Sequence, residues 1–361
     1  MYRPDIQILR GVAVLAVFVF HLKSDLLPAG FLGVDVFFVI SGFLMARLHG
    51  DMTLRESGDF WLRRARRILP AYVVVLLATY LAAFFMTLPQ ELSELSDFAA
   101  YSAILAPNIG FWMENSYFSK DAFKPILHFW SLGVEAQFYL VFPLLAVVSR
   151  RTVIKLCILA ASLAASLAVT AISPKTSFFM TPLRIWEFMA GAIAATTALP
   201  RLRGAVGMHW AALVALGIVL MVMLARVPEA NHPGTAAVLV CGATFVFLVV
   251  GLPDWLSRSR AGLMLQVIGK YSYSIYLVHF PIIFLWLYRP FAGTDIATPR
   301  PGDAASIIAL TAVAAAVLFH WVEEPARRPA RWYPHLQIGA FAAALALIAV
   351  LPPLQRTRVD A

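Results

Sequence analysis

Apolar blocks of roughly 16 to 22 residues recur along the whole chain, each about the length a helix needs to cross some 30 Å of hydrocarbon. Nothing else constrains the fold as strongly. In lipid the backbone must satisfy its own N–H and C=O groups, and a helix does so within one segment. The composition agrees: 61% of the 361 residues are hydrophobic and 14% are charged, against about half and a quarter in soluble domains. The expected fold is all-α, a polytopic membrane helical bundle of about eleven transmembrane helices, ten forming a core and the eleventh C-terminal. The predicted spans are 7–22, 31–49, 70–88, 129–149, 153–172, 178–197, 208–226, 235–251, 270–290, 304–322 and 336–352.

The charges order these spans. Placing the N-terminus in the cytoplasm puts 18 Lys and Arg on the inner side and 9 on the outer, with Arg10 and Arg184 inside the membrane. The inner loops include "RESGDFWLRRARR" (55–67), "RRTVIK" (150–155) and "ARRPAR" (326–331). This asymmetry is the positive-inside rule, and it explains a net charge of +9 without a nucleic-acid partner. "FAAYSAILAPNIGFWM" (98–113) is apolar, but Pro107 and Asn108 interrupt it. It is expected to be an interfacial or re-entrant piece of a long outer loop, 89–128. The first residues lack the layout of a cleavable signal, so the first helix is expected to stay. Cys157 and Cys241 lie in apolar runs and read as small buried hydrophobes, with no disulfide framework and no metal-ligand spacing.

Ionisable groups at membrane depth are costly and need a partner or a purpose. Arg10 and His21, in "LRGVAVLAVFVFH", lie eleven positions apart. On a helix that offset is about 20° past three turns and roughly 16 Å along the axis. They share a face and line one polar track, unless each snorkels to its own headgroup layer. Asp35 sits about one turn inside the outer end of the second span. His128 and Glu135 fall seven apart before and within the fourth, again nearly on one face. Arg184 and Glu187 are spaced i, i+3, where helical side chains meet. Ser272, Tyr273, Tyr276 and His279 cluster in "KYSYSIYLVHFP". Hydroxyls in membrane helices also serve as packing glue, but so many acids, bases and histidines point to a solvated or ligand-filled cavity. On the inner side, Arg64 and Arg67 are three apart and suit a fork for phosphate, or an ordinary membrane anchor.

Taken together these stretches resemble the acyltransferase-3 family of bacterial inner-membrane acyltransferases. "LRGVAVLAVFVFH" is similar to its Arg-x10-His signature, with Arg10 and His21. "GFLGVDVFFVISGFL" is similar to its second-helix motif, with Asp35, and "RRARRILPAY" to its Arg-x-x-Arg element, with Arg64 and Arg67. "HFWSLGVEAQFYLVFP" and "YSYSIYLVHFP" resemble further blocks, and "VEEPARR" (322–328) its terminal Glu-x-Pro element. The order and spacing hold across most of the chain.

The resemblance implies a membrane acyltransferase domain over 1–335, with an eleventh helix and short periplasmic tail over 336–361. It implies transfer of an acyl group, usually acetyl, from cytoplasmic acyl-CoA to a hydroxyl of an extracytoplasmic glycan. Lipopolysaccharide O-antigen, exopolysaccharide, peptidoglycan and a secreted small glycoside all fit as acceptors. Members closest in pattern carry a periplasmic SGNH-type domain after the eleventh helix. This sequence closes on "PLQRTRVDA", so a separate SGNH-type partner is the expectation where one is needed. In that reading Arg64 and Arg67 hold CoA phosphates, and Arg10 guides the thioester end. His21 acts as general base or as nucleophile, and Glu135 or Asp35 orients it. His128, Arg184, Glu187, Ser272, Tyr273 and His279 are further candidates for the substrate site. No metal is expected. The rival is a proton-coupled transporter or flippase of a polysaccharide precursor, which would show inverted repeats or paired broken helices; the sequence shows neither.

Overall fold

The computed structural model describes residues 3–114, 123–197, 206–228, 231–289 and 300–328, together with position 346. Among them the regular structure is helical. The helices are α1 (Pro4–Leu22), α2 (Gly33–His49), α3 (Ser57–Met86), α4 (Pro89–Ala103), α5 (Pro107–Met113), α6 (Phe129–Val148), α7 (Thr152–Ile172), α8 (Pro174–Phe179), α9 (Ile185–Thr197), α10 (Val206–Leu224), α11 (Thr235–Val250), α12 (Asp254–Ser257), α13 (Arg260–Leu287), α14 (Pro301–Leu318) and α15 (Glu324–Arg327). Nine of the first ten predicted spans each fall mainly on one helix, and the remaining one, 178–197, is divided between α8 and α9. The eleventh, 336–352, lies outside the described residues but for position 346.

Among the described residues, six helical stretches are long and apolar enough to cross a membrane: Pro4–Leu22, Gly30–His49, Leu54–Met86, Phe129–Val148, Thr152–Ile172 and Gly302–Arg327. His209–Leu224 and Thr235–Val250 are shorter apolar helices. The predicted span 178–197 is the clearest departure. Pro174 starts α8 and Pro182 sits in a 3-10 turn (Thr181–Leu183), leaving only 13 residues for α9.

Two segments expected as loops are helical. The inner stretch 55–67 forms a capped turn at Leu54–Glu56 and the first turns of α3. Thr53 and Glu56 close that turn reciprocally, with the Glu56 carboxylate accepting from the Thr53 amide at 2.7 Å. The Arg and Ala residues beyond it are good helix formers, so the basic run lengthens α3 instead of linking to it. Within the expected outer connection, 89–113 is two short helices. Pro89 and Pro107 each start one, where the missing N–H costs nothing. Leu105, at φ 59°, makes the bend between them.

The chain divides into two units, one formed by Met1–Gly58 with Phe138–Ser272 and the other by Asp59–Gln137 with Tyr273–Ala361. In the first, α2 packs closely along α9. A Cβ on Gly42 would run into the Phe188 carbonyl, and one on Gly191 into that of Val39. Small residues let membrane helices approach this closely, where van der Waals contact replaces the hydrophobic effect as the source of attraction. Phe38, Phe138 and Phe188 stack beside this seam, with ring centroids 4.7 and 4.0 Å apart.

In the second unit, tyrosines tie the long α3 to α4. Tyr72 donates to the Ser102 carbonyl at 2.9 Å, and Tyr80 lies 2.6 Å from the Ser96 hydroxyl. Asn108 of α5 and Gln137 of α6 form a reciprocal amide pair at 2.9 and 3.3 Å. Just past α13, Tyr288 donates to Glu91 of α4 at 2.6 Å. These bonds anchor the α4–α5 hairpin at several points.

Candidate functional site

α1 is one continuous helix, so the eleven-residue offset of Arg10 and His21 is realised on a single element. Both side chains are half-buried. Arg10 donates from Nη2 to the Ser272 hydroxyl at 2.8 Å, joining α1 to the part of α13 in the same unit. The contact is possible because Gly11 and Gly269 bring these backbones together; a Cβ on either would meet the opposing main chain. The His21 ring packs edge-on against Phe20, with centroids 5.2 Å apart.

Asp35, Arg184 and Glu187 meet in a fully buried cluster of the first unit. Arg184 Nη2 donates to Asp35 Oδ1 at 3.2 Å, and its Nε lies 3.2 Å from Glu187 Oε1. His232, from the α10–α11 connection, completes the group, its Nε2 lying 3.1 Å from Arg184 Nη1 and 3.4 Å from Asp35. The Phe38 and Phe178 rings lie 5.6 and 5.9 Å from the guanidinium carbon. Ser162 of α7 fixes the start of α9 by donating to the Pro182 carbonyl at 2.7 Å and accepting from the Trp186 amide at 3.1 Å. Burial, with Arg184 alongside, pushes the His232 imidazole well below its usual range. It is therefore neutral at pH 7, with Nε2 accepting from Arg184.

The same cluster brings Asp35, Glu187 and Cys241 together, one ligand atom of each within 4.8 Å of the others. A cation already stands there, because the Arg184 guanidinium contacts both carboxylates.

The second unit holds the remaining candidates. Arg64 and Arg67 sit one turn apart on α3, half-buried, and Arg64 lies 5.8 Å from the centre of the Phe60 ring. Tyr273 donates to the Ile68 carbonyl, one residue past Arg67, at 2.8 Å. Arg67, Glu135 and Glu323 all lie within electrostatic range of that phenol. Glu323 is buried and doubly held, accepting from Ser274 and from Arg327. It sits there because Phe319–Glu323 is a π-helical turn, whose extra residue rotates the next turn of the helix. Glu135 is half-buried on α6.

His128 and His279 form a different group. His128 Nε2 lies 3.0 Å from the Leu277 carbonyl, and His279 Nδ1 lies 2.7 Å from that of Tyr276. Tyr276 donates to the His128 carbonyl at 3.0 Å and meets Ser131 at 2.6 Å. The bonds of His128 and Tyr276 hold the start of α6 against α13, the packing use of polar groups in membrane helices, while that of His279 stays within α13.

Sequence reasoning singled out neither Glu323 nor His232. Glu323 carried a signal, since it opens the Glu-x-Pro element in "VEEPARR". His232 carried none, because a histidine beside a proline in a short connection reads as surface until its burial is seen.

The model of the acyltransferase-3 family, described as an acyltransferase domain, matches residues 3–321. Among curated proteins, the peptidoglycan O-acetyltransferase OatA of Listeria monocytogenes is 30% identical over 359 residues, covering 91% of this chain and 56% of that protein. The O-acetyltransferase OatA of Staphylococcus aureus is 29% identical over 352 residues, covering 91% of this chain and 57% of that protein. The chain thus spans little more than half the length of these relatives. No solved structure matches. Matched over nearly its whole length, and carrying Arg10, His21 and Asp35 on the helices where those motifs were expected, with Arg64 and Arg67 on a helix in place of the expected loop, the chain belongs to the acyltransferase-3 family.

Proposed function

We propose that this protein is a multi-pass O-acyltransferase of the bacterial inner membrane. It moves an acyl group, acetyl first among them, from cytoplasmic acyl-CoA to a hydroxyl of an extracytoplasmic glycan. The observation that carries the reading is α1. It holds a guanidinium and an imidazole on one helical face at membrane depth, and the guanidinium is fixed by Ser272. The names of the two relatives support O-acetyl transfer, and that of the Listeria protein makes peptidoglycan the first acceptor to test, ahead of lipopolysaccharide.

In this reading Arg64 and Arg67 bind the phosphates of the donor and Arg10 guides its thioester end. His21 takes the proton of the acceptor hydroxyl as that oxygen attacks the thioester carbonyl. The C–S bond breaks and the proton passes on to the leaving thiolate. In the alternative, the imidazole attacks first and hands the acyl group on from an acyl-imidazole. Asp35 is engaged by Arg184 and His232, so we assign it to holding the fold, and Glu135 is the carboxylate with a proton-handling role.

The test is the O-acetyl content of surface glycan, by mass spectrometry, in cells making wild-type or His21→Ala protein at equal levels. Loss of a general base costs roughly 10²–10⁴-fold. Retention of more than about a tenth of wild-type acylation in His21→Ala would overturn the role of His21. With purified protein and a soluble acceptor, direct transfer is distinguished from hand-over to a separate SGNH-type partner.

A further inference from the structure

The first unit contains a cavity of about 400 Å³ that none of the acyl-transfer chemistry uses. It opens where α2, α6 and α9 end and α7 begins. Its lining includes the apolar Phe142, Leu145, Met189 and Ala192. It also includes Arg47, Arg150 and Lys155, with Asp51 the acid among the lining residues. The lining hydroxyls are already spent within their own helices: Ser149 donates to the Leu145 carbonyl and Thr196 to that of Ile193. Cations therefore supply the polar character of the cavity. The start of α7 adds to it, since a 21-residue helix presents its positive end there and its N-cap, Arg151, makes no side-chain cap.

Ordinary positive-inside anchors stand on a flat surface and face water. Arg47 and Arg150 are exposed and Lys155 half-buried, but all three line one cavity together with apolar side chains, an amphipathic arrangement. The complementary ligand is anionic at one end and apolar at the other. We propose that this cavity binds the phosphate-bearing headgroup of an anionic phospholipid from the cytoplasmic leaflet. Arg47, Arg150 and Lys155 hold the phosphate, and the glycerol and first methylenes lie against Phe142 and Leu145. Basic pockets between transmembrane helices on the cytoplasmic side suit such headgroups. The leaflet assignment rests on the cytoplasmic N-terminus expected from the distribution of basic residues; the binding chemistry does not.

The experiment measures phosphatidylglycerol binding to the full-length protein in nanodiscs, with bound lipid counted by native mass spectrometry and phosphatidylcholine as reference. Phosphatidylglycerol should be retained preferentially. At about 1 kcal/mol per basic residue near a membrane surface, Arg47→Gln with Arg150→Gln and Lys155→Gln should weaken it by about 10²-fold. Arg258→Gln with Arg260→Gln, also basic but outside the cavity, should leave it unchanged. If the triple variant does not fold, Lys155→Gln alone should show a loss of about fivefold. Equal affinity for the two lipids, or equal loss in the control pair, overturns the proposal. So does full displacement by inorganic pyrophosphate, which would make this a site for a soluble phosphate. Nanodiscs expose both leaflets, so binding is read independently of orientation. A reporter in the 150–155 loop reads orientation separately.

Discussion

Arg184 is a full positive charge with no exposed side-chain surface. Two carboxylates and an imidazole surround it, so its removal leaves buried groups with nothing to offset them. Breaking a buried pair by taking one partner costs about 3–5 kcal/mol. Arg184→Met should therefore lower the yield of folded protein and its thermal midpoint in detergent, while Arg184→Lys keeps the charge and loses less. An unchanged midpoint for Arg184→Met would show that the cluster is not what holds α2, α9 and the α10–α11 connection together. His232 gives the same cluster a pH dependence. Its pKa in the fold lies well below the usual value near 6.5, so between those values the unfolded chain binds the extra proton. Stability then rises with pH through that window and is lost as pH falls below about 6.5. The thermal midpoint should drop on acidification from pH 7.5 to 5.5, and His232→Gln should flatten the drop; an equal slope in both proteins would remove His232 as its source.

At the scale of elements, most helices were legible because long apolar runs leave the backbone no other choice. The failures came where polar sequence turned out to be helix. "RESGDFWLRRARR" reads as a loop by charge, yet its residues favour helix and continue into the apolar half of α3. This makes Arg64 and Arg67 neighbours one turn apart on a fixed scaffold. A fork built that way should depend on shape as well as charge. Replacing both with Gln should raise the KM for acyl-CoA by about 10²-fold or more, at about 1.5–3 kcal/mol for each charge-assisted bond, with little change in the KM for the acceptor. Lys at both positions should rescue only part, since it keeps charge and loses the planar fork. Equal CoA affinity in wild type and the double Gln variant would return these arginines to the role of membrane anchors. The π turn at Phe319–Glu323 was not legible at all, because one extra residue in a helical turn leaves no compositional trace.

For the whole molecule, the orientation we propose rests on charge distribution and not on the helices alone. The pairing of polar residues is another matter. Arg184 with Glu187 was legible from i, i+3 spacing, whereas Asp35 lies 149 positions from Arg184, and only packing brings them together. Orientation is a sum over many loops and tolerates such local blindness. With the N-terminus inside, the loop at 150–155 is cytoplasmic, and so is the stretch between α2 and α3, which carries Arg55. The connection between α10 and α11 then faces out. Phosphatase and fluorescent-protein fusions should reproduce that pattern: fluorescence without phosphatase activity after Arg151, and the reverse after Pro228. The α4–α5 hairpin is the point at risk. Were it to cross the bilayer, every later connection would change sides and the later basic loops would face the periplasm. Phosphatase activity after Arg151 would show that it crosses, and would move the basic cavity beside α7 to the outer face with it.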